Sequence, residues 1–408
     1  MAIRSRKYGW YVLGLLASLN FVNYATRNVV VTMYPDLRAV FDFDNTQLGW
    51  MTSSFMFAHA AMNLPFGWLA DRLDRRRVLA VGGLIWSVAN LAVVFADGFG
   101  FLLAGRIVAG IGTAACVPIA NALLSDVFPD ERKARTIAVL NLGLFLGGGA
   151  GIVLGNIPGF PWAFLAVAVP GLVVSALVAV VDVPPKRQAV LAAPQDMGLG
   201  SLVRGAREVL SIGTMRWMIA GAVGASFAAG GYLAWFADFL DRAKGFDPEE
   251  AMMILGGLGL TGGLAGVLAG GAVADRLMKT RSHGRLLAIA IGFSLAAPMA
   301  LVAIYAPRGP VFYAGSWLLM FFINWYHGPM AAAVDDLVDD RRAALAQATF
   351  IFLMHLLGTA SAPVLVGGLV DLSDVQTALL APTGAVLLAA ICFGVGCLRV
   401  RDDAQETC

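Results

Sequence analysis

Apolar residues gather into stretches of about 20 or more positions, and nearly all charge falls in the gaps between them. The stretches lie near 8–34, 46–70, 78–96, 99–124, 134–157 and 161–183, then near 215–240, 249–274, 284–305, 309–334, 343–369 and 376–398. At 1.5 Å per residue each is long enough to cross a hydrocarbon core of about 30 Å. The pattern predicts an all-α membrane protein with twelve transmembrane helices, six plus six, and both termini on one side. The first stretch follows Arg4, Arg6 and Lys7 but runs on through Asn20, Asn23 and Arg27 to about Met33. That is too long and too polar for a cleaved signal, so it is read as the first span. The longest gap opens with Pro184-Pro185 and carries Leu202, Val203, Ala206, Val209 and Leu210 on one predicted helical face. Such a stretch is expected to lie on the membrane surface. The organisation expected is an N-terminal half at 1–183, a linker at 184–214, and a C-terminal half with a short tail at 215–408.

Composition agrees with this reading and narrows the function. Of 408 residues, 59% are apolar and 14% charged, against roughly 45–50% and about 25% in soluble domains. A soluble enzyme is excluded. A net charge of +2 gives no signature for nucleic acid, and four cysteines, two of them Cys392 and Cys397 in one apolar stretch, make no disulfide framework. His59, His283, His327 and His355 have no metal-ligand spacing, and neither Gly-x-Ser-x-Gly nor Cys-x-x-Cys occurs. No enzyme activity, cofactor or metal is expected. With a cytoplasmic N-terminus, 23 Lys and Arg fall in inside segments and four (Arg38, Arg242, Lys244 and Arg308) outside, leaving only Arg27 and Arg106 within spans. The asymmetry puts both termini in the cytoplasm, and the setting expected is a bacterial inner (plasma) membrane, with the chain a monomer.

The halves share a motif. Gly67-Trp-Leu-Ala-Asp71-Arg72 follows the second stretch and Gly271-Ala-Val-Ala-Asp275-Arg276 the eighth, 271 − 67 = 204 residues apart. Two parallel six-helix repeats meeting at a central site are the plan of many secondary transporters. The run from Gly67 through Asp74-Arg75-Arg76-Arg77, with Arg106-Ile-Val-Ala-Gly110-Ile-Gly112, resembles the signatures of the major facilitator superfamily. Within it the chain is most similar to Spinster-like lysolipid transporters. That similarity is carried by Asn23-Tyr24-Ala25-Thr26-Arg27, Ser125-Asp126-Val-Phe128-Pro129-Asp-Glu131-Arg132, Trp235 to Leu240 with Gly245, and His327-Gly328-Pro329. The resemblance implies alternating access, with the first and fourth helices lining the substrate cavity.

Charge within the spans is the sharpest clue to substrate. Arg27 lies eight residues before Pro35, and Arg106 lies five to seven residues into its stretch, so both sit roughly 8–12 Å below the outer end. Two guanidiniums at one depth suit phosphate or carboxylate; the alternative is that each snorkels or caps backbone carbonyls. Asn23, Tyr24, Thr26, Thr113, Tyr232, Trp235 and Asn324 complete the expected binding set, polar groups beside aromatic faces that suit an anionic head with an apolar tail. The expected cargo is an amphiphilic anion, a lysophospholipid or sphingolipid-like phosphate. A small organic anion, carried by a symporter or facilitator of the same superfamily, is the alternative.

Asp71, Arg72, Arg75, Asp275 and Arg276 are expected to latch cytoplasmic helix ends, with Asp238 an outer gate and Asp335-Asp336 an inner one facing Arg341 and Arg342. Where Spinster-like sequences resemble one another in carrying carboxylates, this chain has Thr26 and Thr113. A hydroxyl does not titrate near neutral pH, so His59 and His355 are the candidates for proton coupling. Gly143, Gly147, Gly151 and Gly155, and Gly259 to Gly270, are spaced for close helix contact. The resemblance implies that these faces meet each other across the halves as a sliding seam.

Overall fold

The computed structural model describes residues 6–128, 130–156, 159–181, 206–281, 283–338 and 340–406. The chain divides into two compact units, Met1–Ala192 and Ala193–Cys408. Among the described residues eight helices are long and apolar enough to cross a membrane. The expected first, second, fifth and tenth spans are not among the eight. The first two carry the polar residues of the candidate site, and the tenth is broken in its middle.

The N-terminal unit contains α1 (Arg6–Asn28), α2 (Tyr34–Phe41), α3 (Asn45–Arg72), α4 (Arg75–Ala92), α5 (Phe99–Thr113), α6 (Cys116–Val127), α7 (Asp130–Asn156) and α8 (Trp162–Val180). Asp44 starts α3 with a capping box: its side chain accepts from Gln47 N, and Gln47 Oε1 accepts from Asp44 N. Asp74 starts α4 by accepting from Arg76 N at 3.0 Å. The principal pairings are α1 with α7, α3 with α5, and α4 with α8.

Glycine makes the first two pairings close. A Cβ at Gly147 would meet the Phe21 carbonyl, one at Gly151 the Ala25 carbonyl, and one at Gly155 the Val29 carbonyl and Thr32, all on or just beyond α1. Gly110 brings α5 onto the Phe55 carbonyl of α3 in the same way. The periodic glycines of α7 therefore face their own unit, a correction to the seam expected between halves.

The C-terminal unit contains α9 (Gly213–Arg242), α10 (Pro248–Met278), α11 (Gly284–Tyr305), α12 (Pro310–Ile323), α13 (Met330–Asp335), α14 (Asp340–Leu353), α15 (Ala362–Leu372), α16 (Val375–Ala378) and α17 (Leu380–Glu406). Its second glycine series repeats the arrangement. Gly266 abuts the Phe321 carbonyl and Gly270 the Trp325 carbonyl, so α10 packs on the segment containing α12. Of the amphipathic linker, residues 182–205 lie outside the described residues; 206–211 are helical, with Val209 buried and Leu210 exposed.

Three expected spans are interrupted, each beside a proline. Pro118 has no N–H for the Ala114 carbonyl, and the chain breaks between α5 and α6. Pro329 ends a short 3-10 turn, Trp325–His327, between α12 and α13. Pro363 follows a π-helical segment, Met354–Thr359; its Met354 carbonyl accepts from Ser226 Oγ of α9 at 2.8 Å. Irregular backbone at membrane depth persists only where protein or a wet path supplies partners.

The four basic residues expected on the outer side are each held locally. Arg38 donates to Asn45 Oδ1 at 2.7 Å, and Arg242 pairs with Asp238 at 3.1 Å. Lys244 Nζ donates to the Ile304 and Ala306 carbonyls at the end of α11, and Arg308 pairs with Glu250. Burial pushes the Lys244 ammonium below the ordinary lysine range.

Candidate functional site

Helices α1, α3 and α5 bring together most of the polar residues expected in the N-terminal unit. Asn23, Tyr24, Thr26 and Arg27 occupy one and a half turns at the end of α1. Tyr24 and Arg27, three residues apart and both half-buried, share a face. Asn23 and Thr26 are buried. One turn deeper, Asn20 Nδ2 donates to the Leu140 carbonyl of α7 at 2.8 Å, fixing α1 on the glycine face.

Arg106 is only 1% exposed. Its Nε donates to the Met51 carbonyl of α3 at 3.0 Å, and Nη1 donates to the Thr26 carbonyl of α1 at 3.3 Å. The guanidinium lies 4.4 Å from the centre of the Phe55 ring. Of the two expectations for this residue, capping of backbone carbonyls is what its geometry shows. It ties three helices at one level, whereas Arg27 retains exposed surface.

His59 stacks near-parallel to the same Phe55, with ring centres 6.1 Å apart. Its Nδ1 lies 3.1 Å from Thr113 Oγ1, and that hydroxyl donates to the Gly110 carbonyl at 2.9 Å. Phe55 thus joins Arg106 and His59, a role that sequence reasoning missed; its signal was a place one helical turn before His59.

In the C-terminal unit the expected binding residues separate. Tyr232 is 1% exposed, with its hydroxyl 2.7 Å from Thr383 Oγ1, and Trp235, fully buried, donates from Nε1 to the Pro363 carbonyl at 2.9 Å. Both are buried in this conformation and hold α9 against its neighbours. Asn324 is half-buried at the break after α12 and donates back to the Met320 carbonyl. His355, half-buried in the π segment, has Nδ1 3.2 Å from Thr359 Oγ1. His327, at the other break, is exposed and stacks on buried Tyr326 at 4.1 Å.

Among the latch residues, the side chain of Asp71 lies outside the described residues. Arg72 is exposed and Arg75 half-buried. The acid seen working in this loop is Asp74, which pairs with Arg76 and Arg77 at 3.3 and 3.5 Å. Arg76 also donates to the Val181 carbonyl at 2.8 Å, tying the start of α4 to the end of α8. Asp275 and Arg276 are exposed in the last turn of α10. Asp238 holds Arg242, and Asp335 accepts from Gln347 Nε2 at 2.9 Å. Asp336 forms a two-oxygen ion pair with Arg285 at the start of α11. Its expected partners Arg341 and Arg342 have side chains outside the described residues; Arg285 is the observed one. Among the described residues no group of His, Cys, Asp and Glu is arranged to hold a metal.

The family model described as Major Facilitator Superfamily matches residues 16–307. Protein spinster of Drosophila melanogaster is 26% identical over 387 residues, covering 88% of this chain and 62% of that protein. The chain thus spans about six-tenths of the length of that relative. The sphingosine-1-phosphate transporter SPNS2 of Danio rerio is 26% identical over 391 residues, covering 88% of this chain and 75% of that protein. Among solved structures, a bacterial homolog of the human lysosomal transporter Spinster, in an inward-facing and unoccupied conformation, superposes with a TM-score of 0.85. It is 18% identical, over 98% of this chain and 99% of that one.

Proposed function

This chain belongs to the Major Facilitator Superfamily, and on that premise we propose that it is a secondary transporter for an amphiphilic anion. The cargo is a lysophospholipid or a sphingoid-base phosphate, moved by alternating access. The observation that carries the reading is similarity to Spinster proteins across 88% of the chain, one of them named for sphingosine-1-phosphate transport. The local geometry supports an anionic head group: Arg27 is a half-exposed cation on a helix, beside Tyr24 and close to Asn23.

Within this proposal Arg27 contacts the anion, and Arg106 holds α1, α3 and α5 in register around it. The chain crosses the bilayer twelve times as two six-helix halves, 1–183 and 215–408, joined by the linker at 184–214. Both termini are cytoplasmic, the membrane is a bacterial inner membrane, and the protein works as a monomer. Asp74 with Arg76, and Asp336 with Arg285, are the inner latches that Asp71, Arg72, Arg75, Asp275, Arg276 and Asp335 flank; Asp238 with Arg242 is the outer one.

The test is a ligand screen on the detergent-purified chain by thermal unfolding, comparing lysophospholipids and sphingosine-1-phosphate with short dicarboxylates. Saturable stabilisation by the lipids alone is expected. Stabilisation by dicarboxylates alone would replace the lipid reading with that of a small organic-anion carrier.

A further inference from the structure

An arginine side chain remains protonated inside proteins and carries five N–H donors. At Arg106 one donor serves the Met51 carbonyl and one the Thr26 carbonyl, while Nη2 is buried with no hydrogen-bond partner. Among the described residues no carboxylate pairs with this guanidinium, and the Phe55 face on which it lies offers no hydrogen-bond acceptor of ordinary strength. An unpaired buried charge costs several kcal/mol even after local relaxation. A counter-charge beside the guanidinium would offset that cost.

Two further buried polar atoms, on the helices that Arg106 bridges, indicate the chemistry of such a counter-charge. Thr26 Oγ1 and Ser54 Oγ are also buried without partners. Thr26 belongs to the residue whose carbonyl binds Arg106. Ser54 lies about one turn on from Met51, whose carbonyl accepts from Arg106 Nε, and directly precedes Phe55. All three orphaned groups can donate a hydrogen bond, and one of them is cationic. A water molecule would accept from some of these groups and leave the charge uncompensated. A lipid head group is too large for a guanidinium that is 1% exposed. A monatomic anion satisfies both the donors and the charge.

We propose that the N-terminal unit holds a chloride-sized anion between Arg106, Thr26 and Ser54, as the counter-ion that completes the junction of α1, α3 and α5. The site is distinct from the transported lipid and does not depend on what the protein carries. It makes the packing of the three helices that Arg106 joins sensitive to halide.

The experiment follows thermal unfolding of the purified full chain while chloride replaces gluconate at constant ionic strength, with bromide in parallel. Wild type should show a saturable rise of about 2 °C or more with either halide, because the anion binds the folded state alone. Thr26→Asp supplies a carboxylate in place of the anion, so its unfolding temperature should be equal in chloride and gluconate. Identical wild-type unfolding in the two salts would overturn the proposal, as would a full halide shift retained by Thr26→Asp. Should that variant not fold, bromide-soaked crystals of the wild type decide by anomalous scattering: a peak beside Arg106 Nη2 supports the site, and none there removes it.

Discussion

Arg27 and Arg106 have the same chemistry at similar predicted depth, yet only one has surface left to meet a substrate. The difference comes from what each helix faces. Arg106 points from α5 toward the gap between α1 and α3, where two main-chain carbonyls take its donors. Charge-assisted bonds of this kind contribute about 1.5–3 kcal/mol each. Arg106→Ala should therefore lower the unfolding temperature of the purified protein clearly, while Arg27→Ala changes it much less and abolishes or strongly reduces lipid uptake. Normal uptake by Arg27→Lys would show that two-pronged anion recognition is not used there. Which guanidinium is committed to carbonyls was not legible in the sequence, because residue counting gives depth along a helix but not the neighbour across it. Outside the spans, hydrogen bonds from Thr377 and Gln376 at the start of α16 hold the Asp374 carboxyl below the ordinary carboxylate range. Its capping contribution is fully present above the unfolded pKa and is lost as pH falls through the lower folded value. Asp374→Ala should cost about 1 kcal/mol near neutral pH and progressively less in strong acid, as read by unfolding temperature against pH.

At the scale of elements, the helices pack through glycine faces whose spacing was plain in the sequence and whose partners were not. A four-residue glycine repeat says that some backbone approaches closely; it does not say which. In the folded chain α7 lies on α1 and α10 on the α12 segment, so each series closes its own unit. Gly147→Val and Gly266→Val should each abolish monodisperse protein in size-exclusion chromatography, because the new Cβ meets a main-chain carbonyl that cannot yield. Gly149→Ala, with nothing within 4 Å of its added carbon, should behave as wild type. The Asp336 ion pair carries the same lesson. Arg341 and Arg342 are near in sequence, but Arg285, 51 residues away, is brought to it where the start of α11 meets the end of α13. The breaks lie beside Pro118, Pro329 and Pro363, but Pro65, Pro170 and Pro298 sit inside continuous helices, so a missing N–H alone did not mark where a helix would break.

For the whole molecule, the census of basic residues is what bears on orientation. Reporters fused at either terminus should read cytoplasmic, and a periplasmic signal from one of them would remove the twelve-span topology. Thr26 and Thr113 stand where the family resemblance would place carboxylates, so transport is expected to run down the substrate gradient. Flux into proteoliposomes should then be nearly insensitive to an imposed pH gradient at fixed membrane potential. Steep acceleration would instead implicate His59 or His355. The central claim is that this chain carries a lysolipid-like anion across a bilayer with Arg27 as its anchor, and reconstituted flux of labelled lysophospholipid measures it most directly. The account predicts saturable uptake by wild type, competed by sphingosine-1-phosphate and lost in Arg27→Ala; lipid flux no faster than in protein-free liposomes, with saturable uptake of a short dicarboxylate, would contradict it.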